Sequence, residues 1–359
     1  MSRNGRSIVR WFKGKALLPC LFSVLTGCFA VMGSVWPSPA LGAKPEHEIK
    51  LATMAPENSS LMKIFHEMNE ELLKETGGKV GFKMYAGFVL GDEEDVLRKL
   101  RVGMVHAAAF TAAALTDLSP DLRVFQVPFL FADYKEVDFV LDRMESDLKK
   151  GFEKKGFYVL GWPELGFLYF MSTTPISSLE DLKGKRVWAK ANAPMLEGLI
   201  RKTGVSAVAI NAPDVLVALQ TNLLDVVYNS PYYAVVTQWY TQFKYVTDLP
   251  LSYIGGALIL DKKVLDKIPA PLRETLRKVC DKHLRRLTER TRKDNAESLQ
   301  VILKRGVTQI TPKAAEVEEF KRVGDEAVMA LDPKYFPKDT FQKVKVWLSQ
   351  YRTASPNPK

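Results

Sequence analysis

The chain has 359 residues, with 51 Lys and Arg against 41 Asp and Glu, 47% hydrophobic and 26% charged. That is the composition of an ordinary globular protein of roughly two domains, and it excludes collagen-like, disordered and coiled-coil chains. Three cysteines (Cys20, Cys28, Cys280) and four histidines, none spaced as HxxxH, exclude a disulfide scaffold and a Cys-rich zinc module.

The first 43 residues read as a targeting segment. Arg3, Arg6, Arg10, Lys13 and Lys15 form a basic start without an acid, 21 uncharged residues (16–36) follow, and Pro37 to Ala43 are small and turn-prone. This order predicts export to the periplasm. Three fates stay open: cleavage near Gly42 or Ala43, lipidation of Cys28 in Leu25-Thr26-Gly27-Cys28, or retention as an anchor, since the uncharged run at about 1.5 Å per residue spans a hydrocarbon layer. Five of the basic residues and no acid lie in this segment, so without it the net charge falls from +10 to +5. The basic balance is then no argument for a nucleic-acid partner, and none is expected.

Beyond it, Ile49 to Ala52 is a strand, and Ser59 caps a helix with Leu61, Ile64, Phe65, Met68 and Leu72 at helical spacing. Lys79 to Tyr85 alternates as a strand, Asp92 caps a second helix, and Val105 to Phe110, apolar apart from His106, is a run typical of a doubly covered parallel strand. The second half repeats the rhythm. Strands are expected at 157–160, 167–171, 186–189, 205–210, 225–228 and 253–260, with helices at 194–202, 214–220 and from Pro231. From Pro271 to Lys304 a helical pattern runs without Pro or Gly. The fold class is α/β: two units, each with its own sheet, joined by crossings near 161–167 and 248–255. The expected division after 1–43 is 44–164 with about 253–297 as one lobe, and 165–252 with about 298–359 as the other. Such a chain is a hinged binder with its ligand between the lobes.

Several segments now carry a family resemblance. Leu51-Ala52-Thr53 followed by Ala55-Pro56-Glu57-Asn58-Ser59, then Glu75 to Val80 and Leu90-Gly91-Asp92-Glu93, are three such markers. Val127-Pro128-Phe129-Leu130-Phe131, Leu182-Lys183-Gly184-Lys185, and Ala218 to Thr221 with Asp225 complete the set. In this order, over about 49–260, the chain resembles the substrate-binding subunit of tripartite ATP-independent periplasmic (TRAP) transporters, the DctP-like family. The resemblance implies a two-lobed periplasmic-binding-protein fold, a small-molecule ligand, small and large TRAP membrane subunits driven by an ion gradient, and a long helix bracing both lobes. It implies no cofactor and no catalysis. No GxGxxG, P-loop, G-x-S-x-G or zinc motif suggests an enzyme either. A ligand sensor or lipid-binding chaperone of the same fold is the alternative.

The sequence departs from the resemblance at two positions. The strand after the Leu-Lys-Gly turn usually carries an arginine four residues past the glycine, which grips a ligand carboxylate as a fork. That position is Trp188, and a second arginine site twenty residues earlier is Leu168. The resemblance then places Asn229 as a polar ligand contact, with Tyr228, Tyr232 and Tyr233 beside it. Trp162, Glu164 and Leu168 come from the hinge region, and Glu57 and Asn58 from the first-lobe loop. The expected cleft is rich in rings and poor in cations, suited to an apolar or aromatic ligand. A cationic ligand countered by Glu164 is a variant of this reading. A carboxylate held by Arg186 or Lys190 is the opposing one. A tetratricopeptide lipoprotein as an added partner goes with the apolar ligand. Each residue also has a plain structural reading: Trp188 as core, Asn229 as a helix cap and Glu164 as a solvated loop residue. The resemblance also allows a dimer by exchange of the C-terminal helix, here 338–351.

Overall fold

A computed structural model describes residues 44–189, 199 and 203–354. Strand β1 (His47–Thr53) leads into helix α1 (Ser60–Glu75), whose first turn is capped by the Ser59 side chain accepting from the Met62 amide. Met62, Phe65, Met68 and Leu72 recur every three or four residues and are fully buried, while the polar positions between them face water. Strand β2 (Val80–Tyr85) pairs parallel with β1. Helix α2 (Glu93–Arg101) opens with a reciprocal cap between Asp92 and Asp95, and strand β3 (Ala107–Thr111) returns parallel to β1. Helix α3 (Ala112–Leu115), a 3-10 turn at Pro120–Gln126 and helix α4 (Tyr134–Lys154) follow. The 21-residue α4 was not among the sequence expectations. Its buried Val137, Val140, Met144, Leu148 and Phe152 form a stripe in a first-lobe core distinct from the one that α1 packs into.

Strands β4 (Phe157–Gly161) and β5 (Glu164–Ser172) come next. The second sheet is built from β6 (Arg186–Ala189), β7 (Ser206–Ala209), helix α5 (Val215–Gln220), β8 (Val226–Asn229), helix α6 (Pro231–Val236) and β9 (Tyr245–Thr247). Strand β6 pairs parallel with both β7 and β8. Strand β10 (Ser252–Asp261) then crosses back. Its second half lies antiparallel to β3 and β4, and its first half antiparallel to β5. The strand order is β2-β1-β3-β10-β5-β8-β6-β7, so among the described residues β5 and β10 carry the sheet from one lobe to the other. This is the two-lobed α/β architecture that the sequence predicts, but the separate sheet expected in each lobe is replaced by one continuous 11-stranded sheet, because β5 and β10 pair across both lobes. The expected helix at 194–202 falls largely outside the described residues.

Helix α7 (Lys262–Asp266) leads to helix α8 (Ala270–Lys304), 35 residues long. Its early residues Leu276, Val279, Cys280, Leu284 and Leu287 pack into the first-lobe core, and Ile302 into the second-lobe core. At about 1.5 Å per residue the helix is roughly 50 Å long, enough to brace both lobes. Strand β11 (Thr308–Ile310) pairs with β9, and helix α9 (Ala314–Met329) brings Phe320 and Val323 to the second lobe.

Helix α10 (Lys338–Ala354) corrects an expectation. The sequence reading put 298–359 with the second lobe, yet Phe336, Phe341, Val344 and Leu348 belong to the first-lobe core. Arg352 pins the end of α10 to α4: its guanidinium meets the buried Glu136 carboxylate at 2.6 and 2.8 Å and donates to the Leu130 carbonyl. In this chain α10 therefore packs against its own α4. The Phe129 ring makes the opposite crossing. Phe129 sits in a first-lobe segment, but its side chain lies in the second-lobe core, 5.2 Å from the Phe320 ring, with the backbone at φ +60°.

Candidate functional site

In α/β sheets, ligands gather at the carboxyl ends of parallel strands. Here the carboxyl ends of the two lobes face each other. β3 ends at Thr111, opposite Gly256 of β10, and β8 ends at Asn229, opposite Tyr169 of β5. Leu168 of β5 in turn pairs with Ser252 of β10. Only four residues of β10 separate these points, roughly 14 Å of extended chain. The candidate site is this interval. The loops after β1, β2 and β3 border it on one side, those after β7 and β8 on the other, and β5 and β10 cross at its back.

The structure places the predicted residues in three groups. Leu168, Trp188 and Tyr228 are 6%, 4% and 6% exposed and share the second-lobe core. Trp188 stacks on Tyr228 at 5.1 Å between ring centres and meets Trp239 edge-on at 5.2 Å. Its indole N–H donates to the Ile210 carbonyl, just past the end of β7, at 3.0 Å. Trp188 is thus a buried core residue beneath the second-lobe edge, its polar atom already satisfied. Asn229 and Tyr232 stand at that edge, half-buried. Asn58 and Glu57 are exposed in the loop after β1, where Glu57 meets His66 at 2.6 Å. Lys190 lies outside the described residues.

Glu164 and Trp162 stand apart from the rim. The expected solvated Glu164 is buried: its carboxylate accepts from Arg292 at 3.0 Å through both oxygens and from the Tyr253 hydroxyl at 2.8 Å. Burial forces a partner on a carboxylate, and Arg292 supplies it, so Glu164 is already paired within the protein. Arg292 also forks onto Asp138 at 2.6 and 2.8 Å and lies over the Tyr134 ring. Trp162 donates to Glu145 of α4 and packs edge-on to Phe152, behind the hinge strands. With Tyr253, Gly255 and Gly256 it borders a gap with room for about one water molecule.

Arg186 is the other departure. It lies at the amino end of β6, the edge away from the cleft, and holds Asp225 bidentately at 2.6 and 2.8 Å. The Arg186 guanidinium keeps the Asp225 carboxyl below its ordinary range. This arginine is committed to a structural pair and does not reach the site. Apart from Lys190, no Lys or Arg occurs in the three residues after β1, β2, β3, β6, β7 or β8.

Backbone donors at the rim are also taken. α6 begins beside Asn229 with Pro231, which has no N–H; the Tyr232 amide donates to Asn295 and the Tyr233 amide to the Ser230 side chain. A helix N-terminus often binds an anion, but this one has no spare donor in its first turn. Across the interval, the Thr111 amide and hydroxyl both donate to Glu93. Asn229 accepts from the Ser230 amide through Oδ1, and its Nδ2 has no partner among the described residues. Tyr169, which the sequence reading missed, packs against the cores of both lobes. Burial, with the Asp248 charge, pushes its hydroxyl up to about 12. Its alternation with the apolar Leu168 and Phe170 was the available signal.

Comparison with known proteins follows the geometry. The model of the family described as bacterial extracellular solute-binding protein, family 7 (DctP) matches residues 51–332. The C4-dicarboxylate-binding periplasmic protein DctP of Rhodobacter capsulatus is 26% identical over 282 residues, covering 74% of this chain and 84% of that protein. An uncharacterized protein of Salmonella typhimurium, YiiZ, is 26% identical over 59% of this chain and 66% of its own length. A TRAP periplasmic solute-binding protein of Ochrobactrum anthropi superposes with a TM-score of 0.78 at 21% identity, covering 86% of this chain and 96% of that one.

Proposed function

The chain belongs to family 7 of the bacterial extracellular solute-binding proteins, non-enzymatic binders of the TRAP type, and from that premise we propose that its solute is largely apolar or aromatic. The observation that supports this is the state of the rim. The arginine position is a buried Trp188, Arg186 is tied to Asp225 at the far edge, and the α6 N-terminus has spent its donors. An organic anion brought into such a cleft loses its hydration and meets little to replace it, which costs several kcal/mol. An apolar or aromatic body loses nothing and gains about 25 cal/mol per Å² of surface removed from water.

Residues Leu168, Trp188, Tyr228, Asn229 and Tyr232 with Asn58 across the gap then form the site, Asn229 Nδ2 orienting a single polar group. Closure of the lobes over the solute selects the surface that the membrane subunits accept. Export leaves the protein in the periplasm, and a tetratricopeptide lipoprotein that hands over the solute is part of the same reading. No described helix is long and apolar enough to cross a membrane.

Relatives of the same fold are described with succinate, orotic acid or galacturonate bound. The test separates the two chemistries. Native mass spectrometry of the purified protein, followed by denaturing extraction, is expected to release a largely apolar or aromatic molecule. An empty protein whose melting temperature rises with succinate or galacturonate overturns the proposal and points to Lys190 as the clamp.

A further inference from the structure

Asn295 lies on α8 three residues from Arg292 and is 6% exposed. Its Nδ2 donates to the Leu165 carbonyl at 2.9 Å, and its Oδ1 accepts from the Tyr232 amide at 3.1 Å. The two partners belong to different elements. Tyr232 is in the first turn of α6, three residues past Asn229. Leu165 is in the hinge strand β5, where the pairing with β10 slips: Gly166 faces Ile254 but Glu164 faces Gly255. The adjoining Gly166 has φ +91°, and a Cβ there would stand 2.7 Å from Asn295 Nδ2 and 2.5 Å from the Tyr134 hydroxyl.

The hinge strand therefore threads, without a side chain, between Tyr134 of the first lobe and Asn295 of the brace. A register break, a left-handed glycine and Gly255-Gly256 opposite make this the softest stretch of both crossing strands. Regular pairing resumes on each side, at Phe170–Ser172 with β8 and at Ala257–Leu260 with β3. A turn of the lobes about Gly166 changes the Leu165-to-Tyr232 geometry that one carboxamide spans.

We propose that Asn295 is a positioning residue for solute binding: it sets the first turn of α6, and with it Asn229, against the pivot at Gly166. The inference rests on the cleft being a solute site between moving lobes. With both hydrogen bonds made, one lobe arrangement is favoured; with one lost, the preference weakens and the distribution of lobe separations shifts.

The test needs no solute. Lys63 on α1 and Gln220 on α5 are exposed. Cysteines are placed there in the full chain carrying Cys20→Ser and Cys28→Ser, and spin-labelled; Cys280 is fully buried and stays unlabelled. Pulsed dipolar spectroscopy then reads the distance between lobes after refolding. Asn295→Ala and the near-isosteric Asn295→Asp are each expected to move the main distance by more than about 2 Å or to add a second population. Asn295→Asp keeps the acceptor for Tyr232 and loses only the donor to Leu165. A folded variant with the unaltered distribution overturns the proposal. So does failure of Asn295→Asp to fold, which would make Asn295 a core residue only. An error in the proposed solute chemistry appears elsewhere, in the mass-spectrometric extraction, and leaves this measurement standing.

Discussion

Trp188 gives its indole N–H to the carbonyl of Ile210 at 3.0 Å, tying the end of one parallel strand to the end of the next. The ring is therefore part of the second-lobe core, and a truncation must show it in stability. Trp188→Ala is expected to lose about 3–5 kcal/mol of stability, as other buried Trp truncations do. Trp188→Phe keeps an aromatic face on Tyr228 but leaves the Ile210 carbonyl without its donor, which costs about 1–3 kcal/mol. Urea unfolding of both variants checks the order. A loss below about 1 kcal/mol in Trp188→Ala would remove the ring from the core.

The Arg186–Asp225 pair predicts an acid limb. The Arg186 guanidinium holds the Asp225 carboxyl below its ordinary value, so the folded state binds that proton less readily than the unfolded chain. The stabilisation is complete above the unfolded value, about pH 4, and is lost as pH falls through the lower folded value. Asp225→Asn is expected to be less stable than the parent at neutral pH and to show a flatter decline below about pH 4. Urea midpoints measured across that range would show parallel acid limbs if Asp225 were not the group involved.

Glu164 and Arg292 make a third prediction. The Glu164 side chain is 1% exposed and Arg292 is 24% exposed, so removing the cation strands a buried carboxylate. Arg292→Met alone is expected to cost about 3–5 kcal/mol, and Glu164→Gln with Arg292→Met distinctly less. The coupling follows from a double-mutant cycle in denaturant. Additive losses would mean that Asp138, not Glu164, is the partner that matters.

These residues also show how far the sequence could be read. The alternation in Lys79 to Tyr85, the helical spacing from Leu61 to Leu72 and the Pro-free run from Pro271 were periodic signals, and the structure has β2, α1 and α8 there. Trp188 was legible as a position, by counting from Gly184, but not as a ring locked between Tyr228 and Trp239, because Trp239 lies 51 residues away. Glu164 looked like a solvated loop acid because its partner Arg292 is 128 residues distant. Helix α10 carries an apolar stripe that fits either lobe; its burial in the first-lobe core and the Arg352–Glu136 pair, 216 residues apart, both join it to much earlier segments, which no local pattern shows. Gly166 and Asn295 were missed for the same reason: one glycine and one asparagine gain meaning only when the chain brings Asn295 so close that a Cβ at 166 would stand 2.7 Å from its Nδ2.

Phe129 offers the last prediction, in which two opposing effects are separated by a pair of variants. Its backbone sits at φ +60°, a left-handed conformation that costs a bulky residue about 1–2 kcal/mol. The side chain, 4% exposed, repays that by entering the second-lobe core against Phe320, while its amide donates to the Leu251 carbonyl at 2.8 Å. Phe129→Ala removes the ring and keeps the backbone cost, so a loss of about 3–5 kcal/mol is expected. Phe129→Gly removes the same ring but adopts the left-handed conformation freely, so it should be more stable than the alanine variant by about 1 kcal/mol, against the usual ranking of the two residues. Denaturant unfolding of both, with equal m-values, decides it. A glycine variant less stable than the alanine one would mean that the segment relaxes out of the left-handed conformation once the ring is gone, and that packing against Phe320 alone imposes it.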